Sequence, residues 1–145
     1  MSKREVEGAP LFMLLSPVLQ AEREAVVAAL VARGFADVSL PSLRLLYELR
    51  GGSVTIQALA RAAGVTKQFC ARELKKLARG GLVLVQDSLT DMRACEVSIK
   101  PDGLRALVTV SAAQAALDGA MAKRLGRTDA SHLRRIVAQL ASKPG

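Results

Sequence analysis

The segment Gly64–Gly81, with the sequence GVTKQFCARELKKLARGG, combines an apolar stripe with a strongly basic face. An α-helix turns by about 100° per residue, so in a helix that begins at Thr66 one side is formed by Cys70, Leu74 and Leu77. The nearly opposite side carries polar or basic residues, namely Gln68, Arg72, Lys75, Lys76 and Arg79. The segment therefore predicts a helix with one face in a protein core and the other turned to solvent or to an anionic partner.

The positive charge of the chain is concentrated after residue 50. The 145 residues carry a net charge of +8, and half of them are hydrophobic, which suits one folded domain with a sizeable core. The first 50 residues contain six basic and six acidic groups, whereas the other 95 contain fifteen basic and seven acidic groups. An uneven distribution of this kind favours a polyanionic partner. Nucleic acid is the first candidate, and an anionic membrane surface is the second.

Several other classes of protein lack their signatures in this sequence. Cys70, Cys95 and the single His132 provide neither a disulfide framework nor the spacing of a metal site. There is no nucleophile–base pair with supporting context and no phosphate-binding glycine loop, so we expect neither an enzyme nor a cofactor. The apolar run Ala9–Leu15 is much shorter than the ~20 residues of a membrane span, and Pro17 interrupts the pattern of a signal peptide. We therefore expect a cytoplasmic protein with no membrane partner.

Glycine, proline and hydroxyl residues divide the chain into predicted helices and one β-hairpin. Leucine and valine in Leu82–Gln86 and the alternation in Cys95–Ile99 predict two strands joined by a polar tip. We expect a last helix that is capped by Asp129 or Ser131 and a frayed tail over residues 1–9. The other helices are predicted over residues 10–32, 41–50, 55–63, 66–79 and 101–125. The predicted fold class is mainly α with a small β-hairpin.

Two short helices joined by a tight turn and followed by a hairpin form a winged helix-turn-helix. In this arrangement the second helix enters the major groove of DNA, and the tip of the hairpin, called the wing, reaches the neighbouring minor groove. The helix that begins at Thr66 is therefore the predicted recognition helix. A winged helix can also serve as a protein-interaction module, but the five basic residues against one acidic residue on Thr66–Arg79 favour DNA.

Residues 55–103 also resemble the MarR regulators, which are dimeric bacterial transcription factors. The spacing from Gly81 to Asp91 and on to Gly103 needs no gap. The resemblance is carried by Leu59-Ala60, Gly64-Val65-Thr66-Lys67-Gln68, Arg72, Leu77, Gly81-Leu82-Val83, Asp91-Met92-Arg93-Ala94, Val97-Ser98 and Pro101-Asp102-Gly103.

The sequence departs from the family pattern at three places. Phe69 and Ala71 stand where the family usually has hydroxyl residues, so two hydrogen bonds to DNA are lost. The strand before the wing is apolar at Leu84 and Val85, where the family is polar and basic, and this change leaves apolar surface. Lys100 replaces a Thr or Ser helix cap, which costs about 1 kcal/mol of capping.

The resemblance implies a homodimeric regulator of transcription, usually a repressor, that binds a pseudo-palindromic operator in double-stranded DNA. It divides the single domain, residues 1–145, into dimerisation helices over residues 10–34 and 101–142 and a DNA-binding lobe over residues 41–99. Family members often bind small aromatic acids in a cleft beside the lobe. Candidates for lining such a cleft, which could equally be core residues, are Phe12, Met13, Phe35 and Tyr47.

Each candidate DNA contact has a chemical reason. Arg72 can bind guanine in a bidentate way or clamp a phosphate, Gln68 suits adenine, and Phe69 suits a thymine methyl group. Arg93 resembles the wing arginine that enters the minor groove. The full predicted set is Thr66, Lys67, Gln68, Phe69, Arg72, Lys75, Lys76 and Arg93, in which the two lysines at 75 and 76 contact phosphate or only solvent.

Two further predictions concern residues that do not touch DNA. Asp91 would brace the wing by pairing with a nearby arginine, the alternative being an ordinary turn carboxylate. Cys70 lies on the apolar stripe, and burial among leucines makes a thiol inert, so we expect a core residue rather than an oxidant sensor. Cys95 shares a strand face with Val97 and Ile99 and is also predicted to be buried.

Overall fold

The structure is a computed structural model, and it describes residues 1–87 and 95–142. Short helices and a small antiparallel sheet form one lobe, and longer helices flank it. This arrangement confirms the predicted fold class. The described elements are α1 (Lys3–Gly8), α2 (Leu11–Ala32), α3 (Leu40–Glu48), a 3-10 turn (Leu49–Gly51), β1 (Val54–Thr55), α4 (Ile56–Ala63), α5 (Lys67–Arg79), β2 (Val83–Asp87), β3 (Cys95–Ile99), α6 (Pro101–Leu125) and α7 (Arg127–Ala141).

One apolar core holds the short helices and the sheet together. Leucines from α3, α4 and α5 are almost completely buried there, and Val97 of β3 joins them. Each fully buried leucine side chain contributes about 1.5–3 kcal/mol relative to an exposed one. The buried leucines of these three helices and of the 3-10 turn that follows α3 are Leu45, Leu46, Leu49, Leu59, Leu74 and Leu77. Helix α5 is therefore fixed on the lobe by its apolar stripe.

The turn between α4 and α5 has the local chemistry that the sequence predicts. Gly64 adopts a φ of +69°, the left-handed region that favours glycine. Thr55 caps α4 by accepting a hydrogen bond from the Ala58 N–H at 3.1 Å. Thr66 caps α5 in the same way, with Phe69 as the donor at 3.1 Å. Each cap stabilises its helix by about 1 kcal/mol, so the starts of α4 and α5 are both defined by local bonds.

The sheet contains a third strand that the sequence does not predict. Its order is β1-β3-β2, and both pairings are antiparallel. Val54 of β1 pairs with Val97, which also pairs with Val85 of β2. Two residues are too few to show an alternating pattern, which explains why β1 was missed. The pairing ties the start of α4 to the base of the wing.

Three predicted helix boundaries are wrong. Residues 3–8 form α1 instead of a frayed tail, because Ser2 and Glu5 make a capping box in which each side chain bonds the other's backbone N–H. The last helix begins at Arg127 after Gly126, so neither Asp129 nor Ser131 is its cap. Helix α3 begins one residue before Pro41, since Ser39 caps it through the Ser42 N–H.

The first turn of α6 packs tightly against the base of the hairpin. A Cβ atom on Gly103 would lie 2.4 Å from the Leu82 carbonyl oxygen and 2.6 Å from Cγ1 of Ile99. The Lys100 N–H donates to the same Leu82 oxygen at 2.9 Å. Lys100 is the N-cap of α6 and makes no side-chain cap bond, as the sequence predicts. Glycine at position 103 is therefore required by close packing.

Within residues 1–87 and 95–142, none of the helices has the length and apolarity needed to cross a membrane.

Candidate nucleic-acid interface

Helix α5 has the two faces that its sequence predicts. Cys70, Leu74 and Leu77 are buried in the core. Burial raises the pKa of the Cys70 thiol, which supports a core residue rather than a reactive one. The polar and basic residues outside this stripe are all exposed, and they are Thr66 and Lys67 at the start of the helix and Gln68, Arg72, Lys75, Lys76 and Arg79 on the opposite side. The structure thus brings most of the predicted DNA contacts onto one exposed surface, which we call the basic face.

Phe69 and Arg72 are in contact within the basic face. Phe69 is half-buried, and the guanidinium carbon of Arg72 lies 5.3 Å from the centre of its ring. A cation–π contact of this kind at an exposed site contributes roughly 0.5–1 kcal/mol. It leaves the guanidinium N–H groups unblocked, so Arg72 stays able to donate to an anion or to a base edge.

Glu73 is buried, with 5% of its surface exposed. The Ser42 hydroxyl donates to its Oε2 at 2.9 Å, and the Lys76 ammonium donates to its Oε1 at 3.3 Å. Burial alone raises the pKa of Glu73, but the bonds from Ser42 and Lys76, the charge of Lys76 and the bond from Ser39 outweigh it and lower the pKa. Glu73 is therefore ionised at neutral pH.

Sequence reasoning treated Glu73 only as the acidic residue of a basic helix. The step from Cys70 to Glu73 is three residues, which keeps Glu73 within about 60° of the apolar stripe. This angle was a usable signal for burial. The bonding partner Ser42 lies 31 residues away on α3, so the sequence offered no means of naming it.

The wing is described only at its two strands. Arg93 and Asp91 lie outside the described residues, so their predicted roles stay predictions. Leu84 and Val85 of β2 are exposed, at 45% and 38%, which confirms the apolar surface expected from their place in the sequence. Cys95 is half-buried rather than fully buried.

A cavity of about 590 Å³ lies between α2, α3 and α6. Tyr47 lines it, and the guanidinium carbon of Arg50 sits 3.5 Å from the centre of the Tyr47 ring. Arg23 and Arg44 also line it, together with Glu22, and Arg44 is ion-paired with Glu48 at 3.1 Å. Its apolar lining consists of Val26, Leu40, Leu43, Leu107 and Val110. The cavity thus combines an apolar floor with groups that bind a carboxylate.

The other three residues predicted to line a ligand cleft do not reach this cavity. Phe12 and Met13 lie on the outer face of α2, with 68% and 57% of their surfaces exposed. Phe35 packs against the core and lines a separate depression beside α6. Of the four candidates, the structure therefore brings only Tyr47 to this cavity, and a ligand-binding role for the other three stays a prediction.

The long helices leave many apolar side chains uncovered. Helix α2 packs on α6, and α6 packs on α7, where Arg134 and Asp118 form an ion pair at 2.8 Å. None of the residues of α7, all of which the structure describes, is buried. The exposed apolar residues of α2 and α7 include Leu11, Phe12, Met13, Val18, Leu19, Leu133, Ile136, Val137 and Leu140. Monomeric proteins rarely expose apolar surface on this scale.

Among residues 1–87 and 95–142, no group of three His, Cys, Asp or Glu side chains is arranged to hold a metal ion.

A helix-turn-helix with a basic second helix, followed by a paired hairpin, defines the winged helix-turn-helix class of protein.

Comparison with known proteins shows which family the chain resembles. Residues 36–94 match the model of the MarR family. The YusO protein of Bacillus subtilis shares the fold with a TM-score of 0.75 and 18% identity, over 97% of this chain and 98% of YusO. MarR itself gives a TM-score of 0.74 and 19% identity, over 92% of this chain and 96% of MarR. The resemblance to the MarR family is confirmed, and the chain has the fold of a MarR-family transcription regulator.

A third similar structure carries a ligand. NadR in complex with 4-hydroxyphenylacetate gives a TM-score of 0.62 and 21% identity, over 99% of this chain and 98% of NadR. Among curated proteins, no match to this chain is found.

Proposed function

We propose that the protein is a homodimeric, sequence-specific DNA-binding regulator of transcription, most simply a repressor. The observation that carries the proposal is the basic face of α5, which is exposed along its length while the opposite face anchors the helix in the core. A rigidly mounted helix with this charge suits the major groove, where phosphates attract the cations and base edges are accessible.

The residues of the basic face divide into two groups by chemistry. Arg72 and Gln68 carry side chains that form paired hydrogen bonds with guanine and adenine, and Phe69 beside Arg72 offers an apolar surface to a thymine methyl group. Thr66 and Lys67 begin the helix, where base edges or phosphates come closest. Lys75 and Lys76 would contact phosphates, with Arg93 of the wing in the minor groove and Asp91 as its brace. The DNA-binding lobe is residues 41–99.

The dimer is supported by the uncovered apolar side chains of the flanking helices, residues 10–34 and 101–142. A second copy of the chain would cover α7, none of whose residues is buried within its own chain. A two-fold axis through these helices would present two α5 helices to successive major grooves, about 34 Å apart. A pseudo-palindromic operator follows from that symmetry.

A small aromatic acid is the proposed effector, and the cavity beside α3 is its site. The apolar floor suits an aromatic ring, and the guanidinium groups of Arg23 and Arg50 suit a carboxylate. The similar protein NadR binds 4-hydroxyphenylacetate, which is therefore the first compound to test. Calorimetry should show binding to this chain and none to a Leu107→Trp variant, in which the indole fills the cavity. Equal binding of this compound by both proteins would show that it binds at a different site.

Selection of duplexes from a random pool, followed by sequencing, tests the DNA-binding function directly. The expected product is a motif with two inverted half-sites about one helical turn apart. Sedimentation should give a dimer at micromolar concentration. Binding of random duplex with no enriched motif would refute sequence-specific recognition. Absence of DNA binding even at low salt would favour a winged-helix protein-interaction module instead.

A further inference from the structure

A hydrogen-bond network joins the middle of the recognition helix to the first turn of α3. Oε2 of Glu73 accepts from Ser42 Oγ at 2.9 Å and lies 3.4 Å from Ser39 Oγ. The two serine hydroxyls are 2.8 Å apart, and the Ser39 oxygen also accepts the Ser42 N–H at 3.2 Å. Oε1 of Glu73 accepts from Lys76. One carboxylate therefore contacts the cap of α3 with one oxygen and a member of the basic face with the other.

The burial of this carboxylate is not explained by stability alone. Removing a charge from water is unfavourable unless hydrogen bonds replace its hydration, and well-packed apolar residues are often as stable as a buried ionic group. Glu73 lies beside Cys70, Leu74 and Leu77, where an apolar side chain would extend the core. Hydrogen bonds differ from apolar contacts because they depend strongly on angle. The network therefore fixes the rotation of α5 about its own axis relative to α3.

We propose that Glu73 is a positioning residue for DNA recognition, an inference that rests on the DNA-binding function proposed above. Through Ser42 it holds α5 at the rotation that points Arg72, the preceding residue in the chain, away from the protein. Through Lys76 it holds one cation at the edge of the basic face. A small rotation of α5 would move the side chains that read bases out of register with the groove, because base contacts need matched geometry.

For the replacement of Glu73, a positioning role and simple charge predict opposite changes in DNA affinity. Replacing Glu73 with glutamine removes a negative charge close to the basic face, and charge alone would tighten binding to any DNA. Glutamine has nearly the same shape, but its amide cannot accept at both positions as the carboxylate does. If the network positions α5, Glu73→Gln weakens binding to the selected duplex although the protein becomes more positive.

The test compares wild type with Glu73→Gln, Ser42→Ala and the double variant, on the duplex selected by the wild type and on a random duplex of equal length. All measurements are made at a temperature where melting curves show every protein folded. We expect each single variant to bind the selected duplex about tenfold more weakly, and random duplex at least as tightly as before. Because both changes act on one shared hydrogen-bond network, the double variant should lose clearly less than the product of the two single losses, closer to tenfold than to a hundredfold.

The matched control is Lys75→Ala. Lys75 is exposed on the same helix and has no ion pair within the part of the chain that the structure describes, so its loss should weaken both duplexes by the same factor. If Glu73→Gln does not fold, Ser42→Ala carries the test, since it leaves the carboxylate in place with Lys76.

Selected-duplex binding by Glu73→Gln that equals or exceeds wild type would overturn the positioning role, and so would additive losses in the double variant. In both cases the DNA-binding function would stand. A wild-type protein that binds neither duplex would refute the function, and the positioning role with it.

Discussion

Removal of the Arg72 side chain separates base reading from general attraction to DNA. Arg72 is exposed, and the contact that the structure gives it is the Phe69 ring at 5.3 Å. Loss of that contact costs roughly 0.5–1 kcal/mol of folding stability, which corresponds to a shift of only about 2–4 °C in melting temperature. Arg72→Ala should therefore remain folded, and any large effect on DNA binding reflects the interface itself.

The expected loss of binding follows from the chemistry of the guanidinium group. A bidentate contact to guanine contributes about 1–3 kcal/mol of discrimination, so Arg72→Ala should bind the selected duplex roughly 5- to 150-fold more weakly. The preference at one base pair in each half-site should also relax. Lys75→Ala is the matched variant from the same helix face. On every sequence it should lower the number of counterions released on binding by about one per half-site, which makes binding less dependent on salt.

Fluorescence anisotropy checks this prediction with three labelled duplexes at several salt concentrations. The duplexes are the selected sequence, a version with one symmetric base change in each half-site, and a random sequence. Equal losses for Arg72→Ala and Lys75→Ala on all three duplexes would refute the base-reading role and leave Arg72 as a phosphate contact. A loss below about twofold on the selected duplex would remove Arg72 from the interface, since even a weak guanine contact exceeds it.

Three further predictions test the packing, the buried carboxylate and the wing. Gly103→Ala should lower the free energy of unfolding by about 1–3 kcal/mol in urea denaturation, because its Cβ would overlap the Leu82 carbonyl, whereas Gly119→Ala, with open space around it, should not. Because folding lowers the pKa of Glu73, its ionised form stabilises the native state above the ordinary glutamate pKa of about 4.3. The stability advantage of wild type over Glu73→Gln should therefore shrink as the pH falls below that value, as measured by denaturation at a series of pH values. Arg93→Glu should abolish tight DNA binding with little change in melting temperature, since Arg93 is the only cation between Arg79 and Lys100. Asp91→Ala should weaken DNA binding in anisotropy although it removes a negative charge.

Each of these predictions has a result that contradicts it. Equal stability of the two glycine variants would show that α6 shifts to accept a methyl group at position 103. A stability difference between wild type and Glu73→Gln that stays constant down to pH 3 would mean that the Glu73 carboxylate does not titrate as its bonding predicts. Tighter DNA binding by Asp91→Ala would leave Asp91 as an ordinary turn residue.

Local chemistry in the sequence was sufficient to predict the helix-turn-helix. The spacing of Cys70, Leu74 and Leu77, the glycine at position 64 and the threonine caps act over a few residues, so they define α4, the turn and α5 without any knowledge of the rest of the chain. The missed helix α1 belongs to the same class of signal. Its capping box, Ser2 with Glu5, was present in the sequence and was overlooked.

Contacts between distant residues were decided only by the tertiary structure. Glu73 and Ser42 are separated by 31 residues, β1 exists because it pairs with β3, and the cavity is formed where α2, α3 and α6 meet. Phe12, Phe35 and Tyr47 looked equivalent as aromatic residues, yet only Tyr47 faces that cavity. Helix periodicity states which residues share a face, but the partner of that face depends on how the helices pack, which the chain fixes only when its whole core forms.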